Sequence, residues 1–213
     1  ENTGEADGEF AEVASQMGDQ WRNNTEEGWI GISLNNRFII SLEHNISRKK
    51  GWQDELRQSP KSVIGTKYDR SKRYALHHNP ETSASLLMAC DDSMVKSIEE
   101  AMRGHNLRPA RICSGLFATT AHLLNRISTD HTLKNQDLII VVWLDGSLCV
   151  VRQKGGQWQD LRCRSGIPAG DEATVSQMIR PFIEKAEPST RILLMEDRKN
   201  GGFSASYLKE FGN

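Results

Sequence analysis

The stretch LIIVVWLDGSLCVVRQ, residues 138–153, constrains the fold more than any other part of this sequence. Two apolar runs flank Asp145-Gly146-Ser147, and an Asp-Gly pair between apolar runs is a strong signal for a tight β-hairpin. A type I′ turn at Asp145-Gly146 sets a register in which apolar side chains face mostly apolar ones. That register pairs Leu144 with Ser147, Trp143 with Leu148 and Val142 with Cys149. The sequence therefore predicts a core hairpin at this position.

The composition describes one large domain or two small ones. The chain has 213 residues, 37% of them hydrophobic, and a mean hydropathy of -0.56, as expected of a polar globular protein. No apolar run approaches the roughly 20 residues of a membrane helix. The chain begins ENTGEADGEF, without a starting Met or a signal-peptide pattern, so we expect a fragment or a processed chain. Its four cysteines lack metal-ligand spacing, which predicts reduced thiols in a cytoplasmic protein and no metal site.

Charge is distributed unevenly along the chain, although the net charge is only -1. Residues 1–28 hold eight acidic side chains against Arg22 alone, and we expect a poorly ordered acidic arm there. Residues 48–73 reverse this balance and predict a solvated loop, which we call the basic excursion. The two segments carry opposite charge and flank the first apolar strands.

The basic excursion is a candidate binding surface. Arg48, Lys49 and Lys50 stand at its start beside Trp52, and such a cluster could bind a protein partner, anionic lipid headgroups or nucleic acid. Trp52 and Tyr68 are too few aromatics for a base-stacking platform, which argues against nucleic acid.

The predicted elements fall into two similar halves. After the acidic arm, GWIGISLNNRFIISLEH predicts a first hairpin that turns at Asn35-Asn36. Two strands follow, in KRYALHHNP and in ASLLMAC, and the second is apolar throughout, as in strands covered on both faces. A helix capped by Asp91-Asp92-Ser93 and ended by Gly104, a strand in PARICSG and a helix in LFATTAHLLNRI come next. A polar stretch at 130–137 predicts a boundary, so the first half covers residues 29–133.

The second half, residues 134–213, repeats this plan. The hairpin at 138–153 opens it, and QWQDLRCRSG predicts a third strand after a Gly155-Gly156 turn. Asp171 predicts a helix start, and Pro181 should end or kink that helix because it cannot donate the internal hydrogen bond. A strand in RILLMED and a helix in SASYLKEFG follow. The predicted fold class is therefore α/β, with two hairpin-first halves and mixed sheets of the RNase H and actin-like kind.

Four stretches of the chain carry a resemblance to a known family. They are WIGISLNNRFI, MVKSIEEAMRGHNLRPARICSGLFATTAHLL, DLIIVVWLDGSLCVVRQKGGQWQDLRCRSGI and RILLMEDRKNGGFSASYLKEFG. These stretches resemble the PilM and GspL type of actin-like assembly proteins, cytoplasmic components of type IV pilus and type II secretion machines. The resemblance implies a location at the inner face of the inner membrane. It also implies two partners, the peptide tail of an inner-membrane assembly protein and an assembly ATPase.

The nucleotide motif of the wider actin-like ATPase group is degenerate in this chain. Active members carry Asp, any residue, Gly and then Ser or Thr at each hairpin turn, where backbone N–H groups meet phosphate. In the first hairpin the acid has become Ser33 and the glycine Asn35. In the second hairpin Leu144 stands in place of the acid, and Asp145 is one residue out, which on a strand points the side chain to the opposite face. We therefore interpret the second turn as structural.

If nucleotide binds, the resemblance assigns four residues to it. Gly146 and Ser147 would contact phosphate, and Gly201 and Gly202 resemble the adenosine-side glycine pair, with ATP and Mg²⁺ as the cofactor. No other catalytic motif supports an enzyme, so we expect no catalytic residues and no cofactor.

The first hypothesis is a non-catalytic actin-like scaffold that binds a membrane-protein tail. Its candidate surfaces are the groove between the halves and the basic excursion, at Arg48, Lys49, Lys50 and Trp52. One alternative is an active ATP-binding phosphotransferase or ATPase of the same fold. A second alternative is nucleic-acid binding through the basic excursion.

Overall fold

The computed structural model describes residues 28–43, 51–78 and 85–196, together with the single positions 12 and 16. Along these ranges the elements run in the order β1 (Gly28–Leu34), β2 (Ile40–Glu43), α1 (Trp52–Gln58), α2 (Pro60–Ile64), β3 (Lys72–His78), β4 (Ser85–Asp91), α3 (Asp92–Gly104), β5 (Leu107–Ser114), α4 (Gly115–Thr129), β6 (Leu138–Leu144), β7 (Ser147–Lys154), β8 (Gln157–Arg164), α5 (Glu172–Ile183) and β9 (Arg191–Glu196). The fold class is α/β with mixed sheets, as predicted. The helix predicted in SASYLKEFG and most of the acidic arm lie outside the described residues.

The predicted core hairpin is confirmed in its turn and in its register. Asp145 and Gly146 both have positive φ, 49° and 66°, as a type I′ turn requires. β6 and β7 pair antiparallel with Leu144 opposite Ser147, Trp143 opposite Leu148 and Val142 opposite Cys149. β8 extends the sheet beyond β7, and β9 joins the other side of β6 in parallel, so the strand order is β8-β7-β6-β9.

Helices cover both faces of this sheet, which explains why β6 is apolar at every position. α5 packs against one face through Val175, Ile179 and Phe182. α4 packs against the other face through Leu116 and Ile127. The residues from Leu138 to Trp143 are at most 1% exposed as a result, and each large side chain buried in this way stabilises the fold by roughly 1.5–3 kcal/mol. α4 therefore packs against the β8-β7-β6-β9 sheet, although in the sequence it lies before the boundary predicted at 130–137.

The parallel pair of β1 and β5 forms a second core with α3. Alternate residues of β1, Ile30, Ile32 and Leu34, are buried against α3. On α3 the buried residues recur at helical spacing, at Val95, Ile98 and Met102. The other β1 side chains, at 29 and 33, are exposed, so β1 has one covered and one open face.

The strand pairing predicted for the first hairpin is wrong. β1 pairs with β5, whereas β2 pairs with β4 in a separate antiparallel sheet of order β2-β4-β3. Asn35 does not form a tight hairpin turn, because it has a φ of -60° and begins a short 3-10 helix over Asn36–Phe38. Its side-chain oxygen accepts a hydrogen bond from the Arg37 backbone N–H at 2.9 Å. This local bond competes with the hairpin and directs β2 away from β1.

The basic excursion is solvated, but most of its described part is helical and not a loop. α1 carries Asp54 and Glu55 in its first turn, where acidic side chains interact favourably with the helix dipole. Pro60 begins α2, the position where a missing N–H costs nothing. Within these two helices Ile64 is the one buried residue. The prediction of a loop was wrong. It rested on the many charged residues in this segment, and it overlooked the weaker helix-start signals at Asp54, Glu55 and Pro60.

The start predicted for α5 is confirmed, and the predicted effect of Pro181 is wrong in part. The Asp171 side chain accepts a hydrogen bond from the Thr174 backbone N–H at 3.1 Å, which caps the helix. Pro181 does not end the helix, which continues to Ile183. The hydrogen bond lost near the end of the helix is offset by burial of Ile179 and Phe182 on either side of the proline.

Candidate functional site

The two turns at which an actin-like ATPase would hold phosphate are connected by protein atoms. Asn36, in the first turn, is only 3% exposed. Its side-chain N–H donates to Ser165 Oγ at 2.8 Å, and Ser165 Oγ donates to the Asn36 carbonyl at 3.0 Å. Two residues further on, the Ile167 N–H donates to the carbonyl of Gly146, in the second turn, at 2.8 Å. The segment that follows β8 therefore links the two turns.

Asn36 also contacts the start of α4. Ser114 Oγ donates to Asn36 Oδ1 at 2.6 Å and accepts from the Phe117 backbone N–H at 3.3 Å, which caps α4. A helix N-terminus is a natural anion site, but here a serine of the chain takes one of its donors. We call Asn36, Ser114 and Ser165 the Asn36 bridge. It satisfies buried polar groups that would each cost about 1–3 kcal/mol if they were left unpaired.

The second turn lies beneath the same segment. A Cβ atom built on Gly146 would lie 2.9 Å from the Ile167 carbonyl oxygen, so backbone runs directly over the turn. Ser147 is fully buried, and its Oγ has no hydrogen-bond partner within the described residues. Leu144, in the place of the acid, packs into the core beside α4. Ser147 is therefore buried, and Gly146, which is half-buried, lies under the Ile167 backbone.

The structure describes one of the remaining predicted site residues. Arg48, Lys49, Lys50, Gly201 and Gly202 lie outside the described residues. Trp52 is the first residue of α1 and is half-buried. Part of its ring remains available for contact on the basic excursion.

A cleft of about 380 Å³ lies between the β2-β4-β3 sheet and strand β8 of the four-stranded sheet. It is lined by Ser41 and Leu86 of the β2-β4-β3 sheet, Leu161, Arg162, Cys163 and Arg164 of β8, and Met178 of α5. The buried Ser41 Oγ has no hydrogen-bond partner among the residues that the structure describes. No motif marks these residues, because only long-range packing brings β2 and β8 together. Sequence reasoning named none of these lining residues.

The described residues offer little for metal or nucleophilic chemistry. Over 28–43, 51–78 and 85–196, no group of three or more His, Cys, Asp or Glu could hold a metal ion. Burial raises the pKa of the Cys90 thiol, which makes that thiol less reactive at neutral pH. None of the described helices is both long and apolar enough to cross a membrane.

No protein-family model matches the chain, and no curated protein matches it in sequence. Solved structures do match. A protein of unknown function with an actin-like ATPase fold, from Bacteroides thetaiotaomicron, is similar over 93% of this chain and 72% of its own, with 9% identity and a TM-score of 0.54. A PilM-PilN type IV pilus biogenesis complex is similar over 95% of this chain and 81% of its own, with 13% identity and a TM-score of 0.53.

A third structure is the cytoplasmic domain of EpsL, an inner-membrane component of the type II secretion system of Vibrio cholerae. It is similar over 88% of this chain and 68% of its own, with 8% identity and a TM-score of 0.49. Identities this low relate folds and not activities. The first two similarities, together with the sheets described above, show that this chain has the actin-like ATPase fold.

Proposed function

We propose that this chain is a non-catalytic actin-like scaffold in a bacterial pilus or secretion assembly complex, where it binds the cytoplasmic tail of an inner-membrane protein. The observation that carries the proposal is the Asn36 bridge. It joins the first turn to α4 and to the segment that covers the second turn. Under this proposal, these protein contacts stand in for the phosphate that ATPases of this fold hold between the two turns.

Opening this place for a nucleotide would cost stability and would gain little. Phosphate would displace the Asn36–Ser165 and Ile167–Gly146 hydrogen bonds, each of which contributes about 1 kcal/mol. Ser33 and Leu144 then leave no carboxylate at either acid position to orient Mg²⁺ and water. The start of α4 also lies close to the end of β1, because a Cβ on Gly115 would lie 2.9 Å from Ser33 Oγ. These features favour a protein that holds partners over one that hydrolyses ATP.

The class of partner comes by analogy from the PilM-PilN complex, since a fold alone does not fix function. A peptide tail has two candidate surfaces on this chain. One is the cleft between the sheets, where Arg162 and Arg164 add positive charge. The other is the basic excursion, at Arg48, Lys49, Lys50 and Trp52, which could also meet anionic lipid headgroups. By the same analogy, the proposed scaffold works at the cytoplasmic face of the inner membrane and has an assembly ATPase as a further partner.

Titration of the chain with Mg-ATP by isothermal calorimetry tests the catalytic side of the proposal. We expect no saturable heat up to millimolar nucleotide, because the bridge and the segment 165–167 must first be displaced. An active ATPase of this fold, titrated in the same buffer, is the positive control. A micromolar dissociation constant for this chain would refute the scaffold and support the ATP-binding alternative.

Binding of a membrane-protein tail tests the partner side. The probe is a synthetic peptide with the cytoplasmic sequence of the inner-membrane assembly protein encoded beside this chain, and we expect saturable binding. Replacing Arg48, Lys49 and Lys50 by Ala should weaken it at least ten-fold if the excursion is the surface. A charge-matched control replaces Arg57, Lys61 and Lys67, which are exposed in the described part of the excursion. Absence of binding by the unaltered chain would contradict the partner assignment.

A further inference from the structure

The sheet of β1 and β5 has one face that packs on α3 and one open face. Trp29 lies on the open face and is 74% exposed, the largest exposure among the big hydrophobic side chains of the described residues. Two residues along the strand, a Cβ atom on Gly31 would meet nothing within 4 Å. An exposed tryptophan beside an open strip of backbone is typical of a surface that binds another segment.

The open face is also basic. In a parallel pair, partnered residues point to the same side of the sheet, and the register sets Trp29 beside Arg108 and Gly31 beside Arg111. Arg108 and Arg111 are both exposed. Neither β1 nor β5 contains an acidic residue. The open face therefore combines an aromatic ring with positive charge.

The chain itself contains a segment of opposite charge next to this face. Residues 1–27 hold eight acidic side chains and one arginine. They join the sheet at Gly28, one residue before Trp29. A tethered segment meets its site at an effective concentration in the millimolar range, so weak contacts suffice.

The same segment has an apolar stripe at helical spacing. Phe10, Val13, Met17 and Trp21 recur every three or four residues. At the two described positions between them, Glu12 and Gln16, the backbone is helical and the side chains are exposed. On a helix Glu12 lies opposite the stripe, and Gln16 lies at its edge, three residues from Val13. The pattern is that of a helix with one side in water and one apolar side to cover.

We propose that residues 1–27 dock on the open face of the β1–β5 sheet, with the apolar stripe over Trp29 and Gly31. The acidic side chains then lie within about one Debye length of Arg108 and Arg111, so the attraction weakens as salt rises. This docking covers a surface that would otherwise bind a partner or a second copy of the chain. It does not depend on the scaffold function proposed above.

Quenching of Trp29 fluorescence by acrylamide tests the docking. The full chain and a variant lacking residues 1–27 are each compared with their Trp29→Phe counterparts, which isolates the signal of Trp29. We expect the quenching constant of Trp29 to rise about two-fold when residues 1–27 are removed. The matched control is Trp158, half-buried on β8, whose signal, isolated with Trp158→Phe, should not change. A peptide of residues 1–27 added to the shortened chain should restore protection.

A second variant keeps the full chain and so does not depend on the truncated form folding. Arg111→Glu should raise the quenching of Trp29 at low salt, and Glu9→Lys with Glu12→Lys in the same chain should reverse the effect. Arg111 is exposed, so its replacement leaves the core intact. Equal quenching of Trp29 with and without residues 1–27 would overturn the proposal. Protection that disappears on dilution would overturn it as well, because it would assign the face to a second copy.

Discussion

Replacement of Asn36 by Ala measures what the Asn36 bridge contributes to stability. The substitution removes the 2.8 Å bond to Ser165 and the 2.6 Å bond from Ser114. Each buried bond contributes about 1 kcal/mol, and the Ser114 hydroxyl, buried at 2% exposure, is left without an acceptor. The expected loss in the free energy of unfolding is about 3 kcal/mol. In a chain of this size that corresponds to a fall in Tm of roughly 6–12 °C.

Urea unfolding followed by tryptophan fluorescence provides the measurement, because Trp143 is fully buried and reports loss of the core. The matched control is Asn35→Ala at the adjacent residue. Its side chain makes one solvent-accessible bond, to the Arg37 backbone N–H, so we expect a loss of about 1 kcal/mol or less. A double-mutant cycle with Ser165→Ala should give a coupling energy of about 1 kcal/mol. If Asn36→Ala costs no more than Asn35→Ala, or if the cycle is additive, the bridge does not join the two turns energetically.

Three further substitutions test other contacts. Gly146→Ala should destabilise by about 2–3 kcal/mol, because its Cβ would meet the Ile167 carbonyl at 2.9 Å, whereas Gly155→Ala, also at positive φ but in open space, should cost about 1 kcal/mol in urea unfolding. Asp137→Ala breaks the ion pair with Arg152, in which the two side chains are 7% and 17% exposed, and should lower the free energy of unfolding by about 3 kcal/mol. Glu187→Ala breaks a pair with Lys154 that is more than half exposed, and should lower it by less than about 1 kcal/mol. Equal effects of the two substitutions would refute the burial argument. The hydrogen bonds from Thr174 lower the pKa of Asp171, so this cap stabilises the fold above about pH 4 and loses its effect as the pH falls further. The difference in Tm between Asp171→Ala and the unaltered chain should therefore shrink in acid. A difference that grew in acid would contradict this direction of the pKa shift.

Local signals made part of the fold predictable. The turn at Asp145 and Gly146 fixes its own register, because a two-residue turn of this type leaves one way to pair the flanking strands. The same reasoning failed at Asn35 and Asn36, where a side-chain cap of comparable energy competes with the hairpin. β1 pairs with β5, which lies far along the chain. A pattern that compares only neighbouring residues cannot predict such a pairing.

The candidate site was less accessible to sequence reasoning than the fold. The loss of the acids at Ser33 and Leu144 was visible as a pattern, whereas the tight turn predicted at Asn35 and Asn36 was wrong. The partner of Asn36 was not visible, because Ser165 lies 129 residues away and has no distinguishing neighbours. Buried polar bridges of this kind depend on packing between halves, so they become apparent only when both halves are in place.

The central position of β6 has a consequence for how the chain is made. β6 can pair with β7 as soon as the two-residue turn is synthesised. The other edge of β6 pairs with β9, which is the last of the described strands to be synthesised. Until then the run LIIVVWL presents an unpaired, uncharged edge, the kind of template on which chains aggregate. Truncation before Arg191 leaves that edge open permanently. Yield of soluble protein should therefore depend on whether residues 191–196 are present, more than on any residue of the turns.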